Sequence, residues 1–148
     1  MTWGDFGMPA LEAIKAALAA DPLAITAEVE VTTGEPAYEC QGTIVAAWVS
    51  AVVPTPGDVA AGGCHYTPRV QWTIRVHHCQ DPNAPGDHAA QWHGVLEATY
   101  CALTAHLLEL CQGGCPITFD GVLIPPPSGT QIIADYTVTL EETCPNDS

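Results

Sequence analysis

From residue 70 to residue 78 the chain alternates without a break. Val70, Trp72, Ile74 and Val76 fall on one side, and Gln71, Thr73, Arg75 and His77 on the other. Side chains on an extended strand point to opposite faces with period two, so this stretch predicts a strand with one face against a core. A loop rich in proline and aspartate follows at 81–87, and then the period changes. Trp92, Leu96, Thr99, Leu103, Leu107 and Leu110 recur at helical spacing, which predicts a long helix over 87–110 with Asp87 as its N-cap. Gly113-Gly114 supplies the left-handed stop. A two-faced strand feeding a long one-sided helix narrows the fold to sheets that carry helices.

The remaining segments complete the pattern. Residues 9–20 predict a helix, with Leu11, Ile14 and Leu18 on one face and Asp21-Pro22 ending it. Residues 24–32 alternate Ile25, Ala27, Val29 and Val31 against Thr26, Glu28, Glu30 and Thr32, a half-buried strand. Residues 43–53 are apolar on both faces and predict a strand covered on both sides. Residues 117–124 form a further strand in which Gly121 suggests a bulge. Residues 130–141 close the sheet, with Ile132, Ala134, Tyr136, Val138 and Leu140 on one face. Between strands, residues 54–68 hold three prolines and three glycines and read as a long loop or hairpin tip of the kind that makes contacts. Strands in runs, separated by helices at two points, give an α+β fold. It is a mostly antiparallel sheet of four to five strands with the long helix and the N-terminal helix packed on it. The whole of 1–148 reads as a single domain with a frayed tail after residue 144.

Charge then limits what such a domain can touch. Seventeen carboxylates face three cations, Lys15, Arg69 and Arg75, for a formal net charge of -14. With 47% of residues hydrophobic, this is a folded body with an acidic surface and not a disordered acidic tail. Docking on nucleic acid or anionic lipid needs clustered Lys and Arg, which are missing. No apolar run is long enough to cross a membrane, and no basic, apolar leader opens the chain. Seven cysteines without an export signal predict a reducing compartment and mostly free, partly buried thiols that fill the core. The competing possibilities are a bridge between Cys111 and Cys115, or one tying Cys144 to an earlier cysteine.

Chemistry-bearing constellations are sparse. No nucleophile elbow and no glycine-rich phosphate loop is present. His77, His78 and Cys79 end one strand, His88 and His93 open the long helix, and Cys111 and Cys115 close it. The two ends of that helix are too far apart to share a zinc ion, and His88 and His93 diverge around it, so no metal or other cofactor is expected. Glu28 and Glu30 share the polar face of a strand and read as a solvated face, not a catalytic pair. Arg69 and Arg75 stand out by scarcity. Arg75 either pairs with Glu28 or Glu30 across the sheet or bridges subunits, and both readings stay open.

The order helix, three strands, long helix, two strands resembles that of the tail terminator proteins of long-tailed bacteriophages of actinobacteria, and more loosely other small head-to-tail connector proteins. The stretch from Val70 through Arg75 to Cys79, the Pro-rich acidic loop after it, Cys111 to Cys115 after the helix, and the strand after the Pro/Gly break are similar to versions from that family. The resemblance implies a structural virion protein and no enzyme. It would be a homo-oligomeric ring, usually a hexamer, that ends the tail tube and joins it to the capsid connector, assembled in the host cytoplasm and residing in the virion neck. Implied partners are the protein's own copies, the tail tube protein and a head-completion protein, with DNA passing through the lumen without specific binding. Interface residues expected on this reading are Arg69, Arg75, Glu28, Glu30, Pro54, Pro56, Asp58 and Pro126. The alternatives are a small metal- or thiol-dependent enzyme built on Cys79 with His77 or His78, and an acidic adaptor that mimics DNA.

Overall fold

In a computed structural model the described residues are 3–56, 66–80, 88–127 and 130–141. After a turn of 3-10 helix at Trp3–Asp5 come α1 (Gly7–Ala19), β1 (Ala27–Val31), β2 (Thr43–Pro56), β3 (Tyr66–Cys79), α2 (His88–Gln112), β4 (Ile117–Leu123) and β5 (Gln131–Glu141). The five strands form one sheet in the order β1-β2-β3-β5-β4. Three neighbouring pairs are antiparallel and one, β1 with β2, is parallel. The α+β expectation of a mostly antiparallel sheet with two helices is met.

One face of the sheet takes both helices. Val70, Trp72, Ile74 and Val76 of β3 and Ala134, Tyr136, Val138 and Leu140 of β5 lie there, all buried. Against them pack Leu11, Ile14 and Leu18 from α1, and Trp92, Val95, Leu103 and Leu107 from α2. α1 lies over the β1–β2 side and α2 over the β5–β4 side, and the helices touch each other. Two glycines do what side chains could not. Gly114, at φ 91°, turns the chain out of α2, and Gly121, at φ 124°, sits at the register shift between Phe119 and Gly121 in β4.

The other face is covered by chain with no regular structure. Because β1 and β2 are parallel neighbours, the link between them must cross from one end of the sheet to the other. Residues 32–42 make that crossing as a strap over Ile44, Ala46 and Trp48, which accounts for a β2 buried on both sides. The strap is held at both ends: the Thr32 amide donates to the Ala47 carbonyl and the Cys79 amide to the Gly42 carbonyl, each at 2.9 Å.

Several expectations need correction. The segment 54–68 is not a single long loop. β2 runs on to Pro56, β3 begins at Tyr66, and the two stay paired to those ends, with the residues between lying outside the described ones. β1 begins at Ala27 instead of residue 24. The cysteines depart furthest from expectation. Cys40 and Cys79 form a disulfide with Cα atoms 5.3 Å apart, Cys115 is disulfide-bonded as well, and the free Cys101 and Cys111 are exposed on α2 instead of filling the core. Thirty-nine residues of sequence separate Cys40 from Cys79, so only the strap's path across the sheet brings them together. The expected N-cap Asp87 and the tail after residue 144 lie outside the described residues.

Candidate functional site

Arg75 sits at the middle of the strap face, on the central strand. In register its row runs Glu30, Ala46, Arg75, Asp135 across four strands. Asp135 is directly opposite, and the guanidinium grips it with two parallel bonds, Nε to Oδ1 at 2.7 Å and Nη2 to Oδ2 at 2.9 Å. Nη2 also donates to Glu35 Oε1 at 2.8 Å, from the strap. The guanidinium carbon lies 5.3 Å from the centre of the Trp48 ring, within cation–π range. With 13% of its side chain exposed, Arg75 is held charged by Asp135 first and Glu35 second, against the opposing effect of burial. The expected pairing with Glu28 or Glu30 does not occur, because Ala46 and a full strand stand between Arg75 and Glu30. Glu30 accepts instead from the Tyr38 hydroxyl, which burial and the Glu30 carboxylate together push far above its usual pKa. Glu28 is exposed.

The thiol and imidazole cluster is split by the pleat. His77 and Cys79 face the strap while His78 faces the helices. His78 Nδ1 shares a 2.8 Å hydrogen bond with the Thr43 hydroxyl, and its ring stacks on Trp92 with centroids 6.0 Å apart. Burial lowers its pKa, reinforced by His77 and His88 and opposed by a hydrogen bond with Gln91. His77 is 3% exposed beneath the Tyr38 ring, and neither ring nitrogen has a hydrogen-bond partner among the described residues. Cys79, the nucleophile of the enzyme alternative, is joined to Cys40. Among the described residues no group of three or more His, Cys, Asp or Glu is arranged to hold a metal ion.

Two exposed surfaces are of a different kind. The first is an arm. Among the described residues, pairing of β3 with β5 ends at Arg69↔Glu141, whereas β2 and β3 continue through Pro54↔Pro68, Thr55↔Thr67 and Pro56↔Tyr66. Among the described residues this two-stranded ribbon outruns the sheet, and on the last two rungs before it, Val52↔Val70 and Val53↔Arg69, Val52 and Val53 are 46% and 51% exposed. Adjacent strand residues point oppositely, so this end of β2 exposes an aliphatic side chain on each face of the sheet. Pro54 is exposed on it, and Arg69 makes a loose 3.5 Å ion pair with Glu141.

The second surface is the rim shared by α2 and β4, which run antiparallel at the far edge of the sheet. Tyr100, Leu108, Val122, Leu123 and Ile124 are exposed along it, Leu123 by 69%. The rim encloses a groove of about 320 Å³, lined mainly by Leu96, Tyr100, Val122, Ile124 and Tyr136, with His93 and Glu97 at its lip. Tyr136 is anchored by a 3.1 Å bond to the Leu96 carbonyl, and burial pushes its pKa up to about 12. Pro126 is exposed just beyond Ile124.

The eight expected interface residues thus scatter. Arg69 and Pro54 share the arm, as does Pro56 by its backbone. Arg75 and Glu30 belong to the strap face, Glu28 is on the outer strand, Pro126 is at the rim, and Asp58 lies outside the described residues. Asp135, Glu35, Tyr38 and Cys40 were not singled out from sequence. For Asp135 a signal existed: it is the only acid within the alternating stretch 131–140, on the polar side, where a cross-strand partner for Arg75 should lie. No protein-family model matches this chain, and no curated protein matches it in sequence.

Proposed function

We propose that this chain is a structural ring-forming protein of the neck of a long-tailed phage, ending the tail tube and joining it to the capsid connector. The observation that carries the proposal is the presence of two unlike exposed apolar surfaces on one sheet, Val52 and Val53 at the strand ends of β2–β3 and the α2/β4 rim along the outer edge. Subunits that join through a single self-complementary patch close into dimers, whereas two different surfaces join head to tail, and give rings where the rotation between neighbours closes. The function is assembly, not turnover, with the protein's own copies as first partners and the tail tube and head-completion proteins as next ones.

The charge supports the same reading. A lumen through which DNA must slide should carry no cationic foothold, because each Lys or Arg contact with a phosphate adds affinity. Of the three cations, Arg75 is internally paired, which leaves Lys15 and Arg69 at the surface. A released particle also exists outside the reducing cytoplasm, where a Cys40–Cys79 bond persists.

Negative-stain microscopy with native mass spectrometry of the full chain tests this. Closed rings of a single stoichiometry, with a lumen that admits a DNA duplex, are expected. Two-fold dimers, or monomers carrying a metal ion at fixed stoichiometry, would overturn it.

A further inference from the structure

We propose that the strap of residues 32–42 is a redox latch: the Cys40–Cys79 disulfide closes it over the sheet, and a thiol reductant releases it. The latch goes beyond the ring reading and does not depend on it.

The groups under the strap can do without it. Arg75 keeps both of its bonds to Asp135 when Glu35 moves away. Glu35, with 68% of its side chain exposed, loses a pair that solvent already screens. His77 lies under the Tyr38 ring and has no hydrogen bond to lose among the described residues, and in an open state water reaches both of its nitrogens. The other non-covalent holds are few: the backbone bonds at Thr32 and Gly42, the 3.5 Å bond from Arg75 to the Pro36 carbonyl, and the exposed Tyr38–Glu30 contact. A segment with no ladder and few apolar contacts belongs to the least stable part of a fold. Cys40 is two residues beyond Tyr38, so its bond to Cys79 keeps that ring close to His77 by tethering.

The disulfide is placed to be opened from solvent. Cys40 is exposed and Cys79 half-buried, with the Thr130 hydroxyl 3.3 Å from the first sulfur and 3.7 Å from the second. A thiolate attacks Cys40 Sγ and forms a mixed disulfide there. Cys79 Sγ leaves with the electron pair of the broken bond, within reach of the Thr130 hydroxyl proton. A second thiolate of the reductant then displaces Cys40. Two reductant thiols become one disulfide, two electrons pass to the protein, and the two protons end on Cys40 and Cys79. Exchange with a disulfide oxidant runs the same steps backwards and shuts the strap. Its state thus follows the compartment, released among reducing thiols and closed outside them.

Hydrogen exchange of the full chain tests the latch, together with diethyl pyrocarbonate labelling of His77 read by peptide mass. In wild type treated with dithiothreitol, which is removed before labelling, the amides of 33–41 should exchange about tenfold faster or more. His77 should become reactive, α2 should stay slow, and oxidised glutathione should reverse both changes. Cys40→Ser with Cys79→Ser should reproduce the reduced state without reductant and with Cys115 still bonded, which assigns the effect to this bond. Unchanged exchange in 33–41 and an unreactive His77 in that double variant mean that non-covalent contacts hold the strap, and overturn the proposal. Exchange that rises equally in α2 makes the bond a staple of the whole fold, and overturns it too. So does fast exchange of 33–41 in the oxidised wild type, where the strap would not be latched at all.

Discussion

On the helix side, β3 presents Val70, Trp72, Ile74 and Val76 to two helices; on the strap side, the same strand presents Thr73, Arg75, His77 and Cys79 to eleven residues of irregular chain. Both sides are buried at the centre, Ile74 to 0% and His77 to 3% exposure. The means differ. The helices bring a continuous apolar stripe, so burial there is non-directional and follows area removed from water. The strap brings Tyr38 as its only large side chain and cannot bury a stripe, so it is held at points: the Arg75–Glu35 and Tyr38–Glu30 contacts, and the Cys40–Cys79 bond. A face without an apolar cover can still be closed, provided that every pin is directional and each buried charge has a partner.

The comparison can be broken from either side. The largest effect belongs to the helix side: Trp72→Ala should lower unfolding free energy by about 3–5 kcal/mol in urea titrations, since Trp72 is 2% exposed and packs on Phe6. A loss below about 1 kcal/mol would mean that this face is not the core. Next comes the strap. Replacing Cys40 and Cys79 together by serine should cost about 3–4 kcal/mol, from a bridge spanning 39 residues of sequence. Hydrogen exchange should then rise at the Thr32 and Cys79 amides and stay slow in α2, and equal loosening of both faces would show that they are not separable.

Arg75→Gln should cost about 2 kcal/mol, because Asp135, at 17% exposure, is left without its ionic partner. Adding Asp135→Asn should recover part of that, as two neutral amides can bond each other. If the double variant is worse than the sum of the singles, the pair is not the unit. The smallest effect distinguishes the faces by pH. His78 on the helix side has a depressed native pKa, so the unfolded chain binds its proton more readily. Stability should be full above the unfolded value of about 6.5 and decline as pH falls through the lower native value. Denaturant midpoints at neutral and mildly acidic pH should show this slope, and His78→Gln should flatten it.

Legibility followed the same division. The stripes of 70–76 and 132–140 and the leucines of α2 were readable because apolar periodicity is local, and the helix side is built from nothing else. Gly114 and Gly121 were readable too, since each marks a backbone geometry that other residues resist. The prolines at 54, 56 and 68 obscured the arm: they signal loop, yet at the end of a ribbon beyond its neighbours their missing donors cost little. Glu35, Tyr38 and Cys40 gave no sign of themselves, because a strap has no period.

Local pattern and composition suffice for the α+β class, the order of elements, the helix-side core and an acidic chain with three cations, all properties carried by neighbouring residues or by overall content. That β1 lies parallel beside β2, that Arg75 takes Asp135 and Glu35 instead of Glu28 or Glu30, and that Cys40 meets Cys79 emerges only once the strands are assembled. These depend on which strands become neighbours, and that choice is made by the summed burial of both faces of the sheet, a quantity that no local stretch of residues contains.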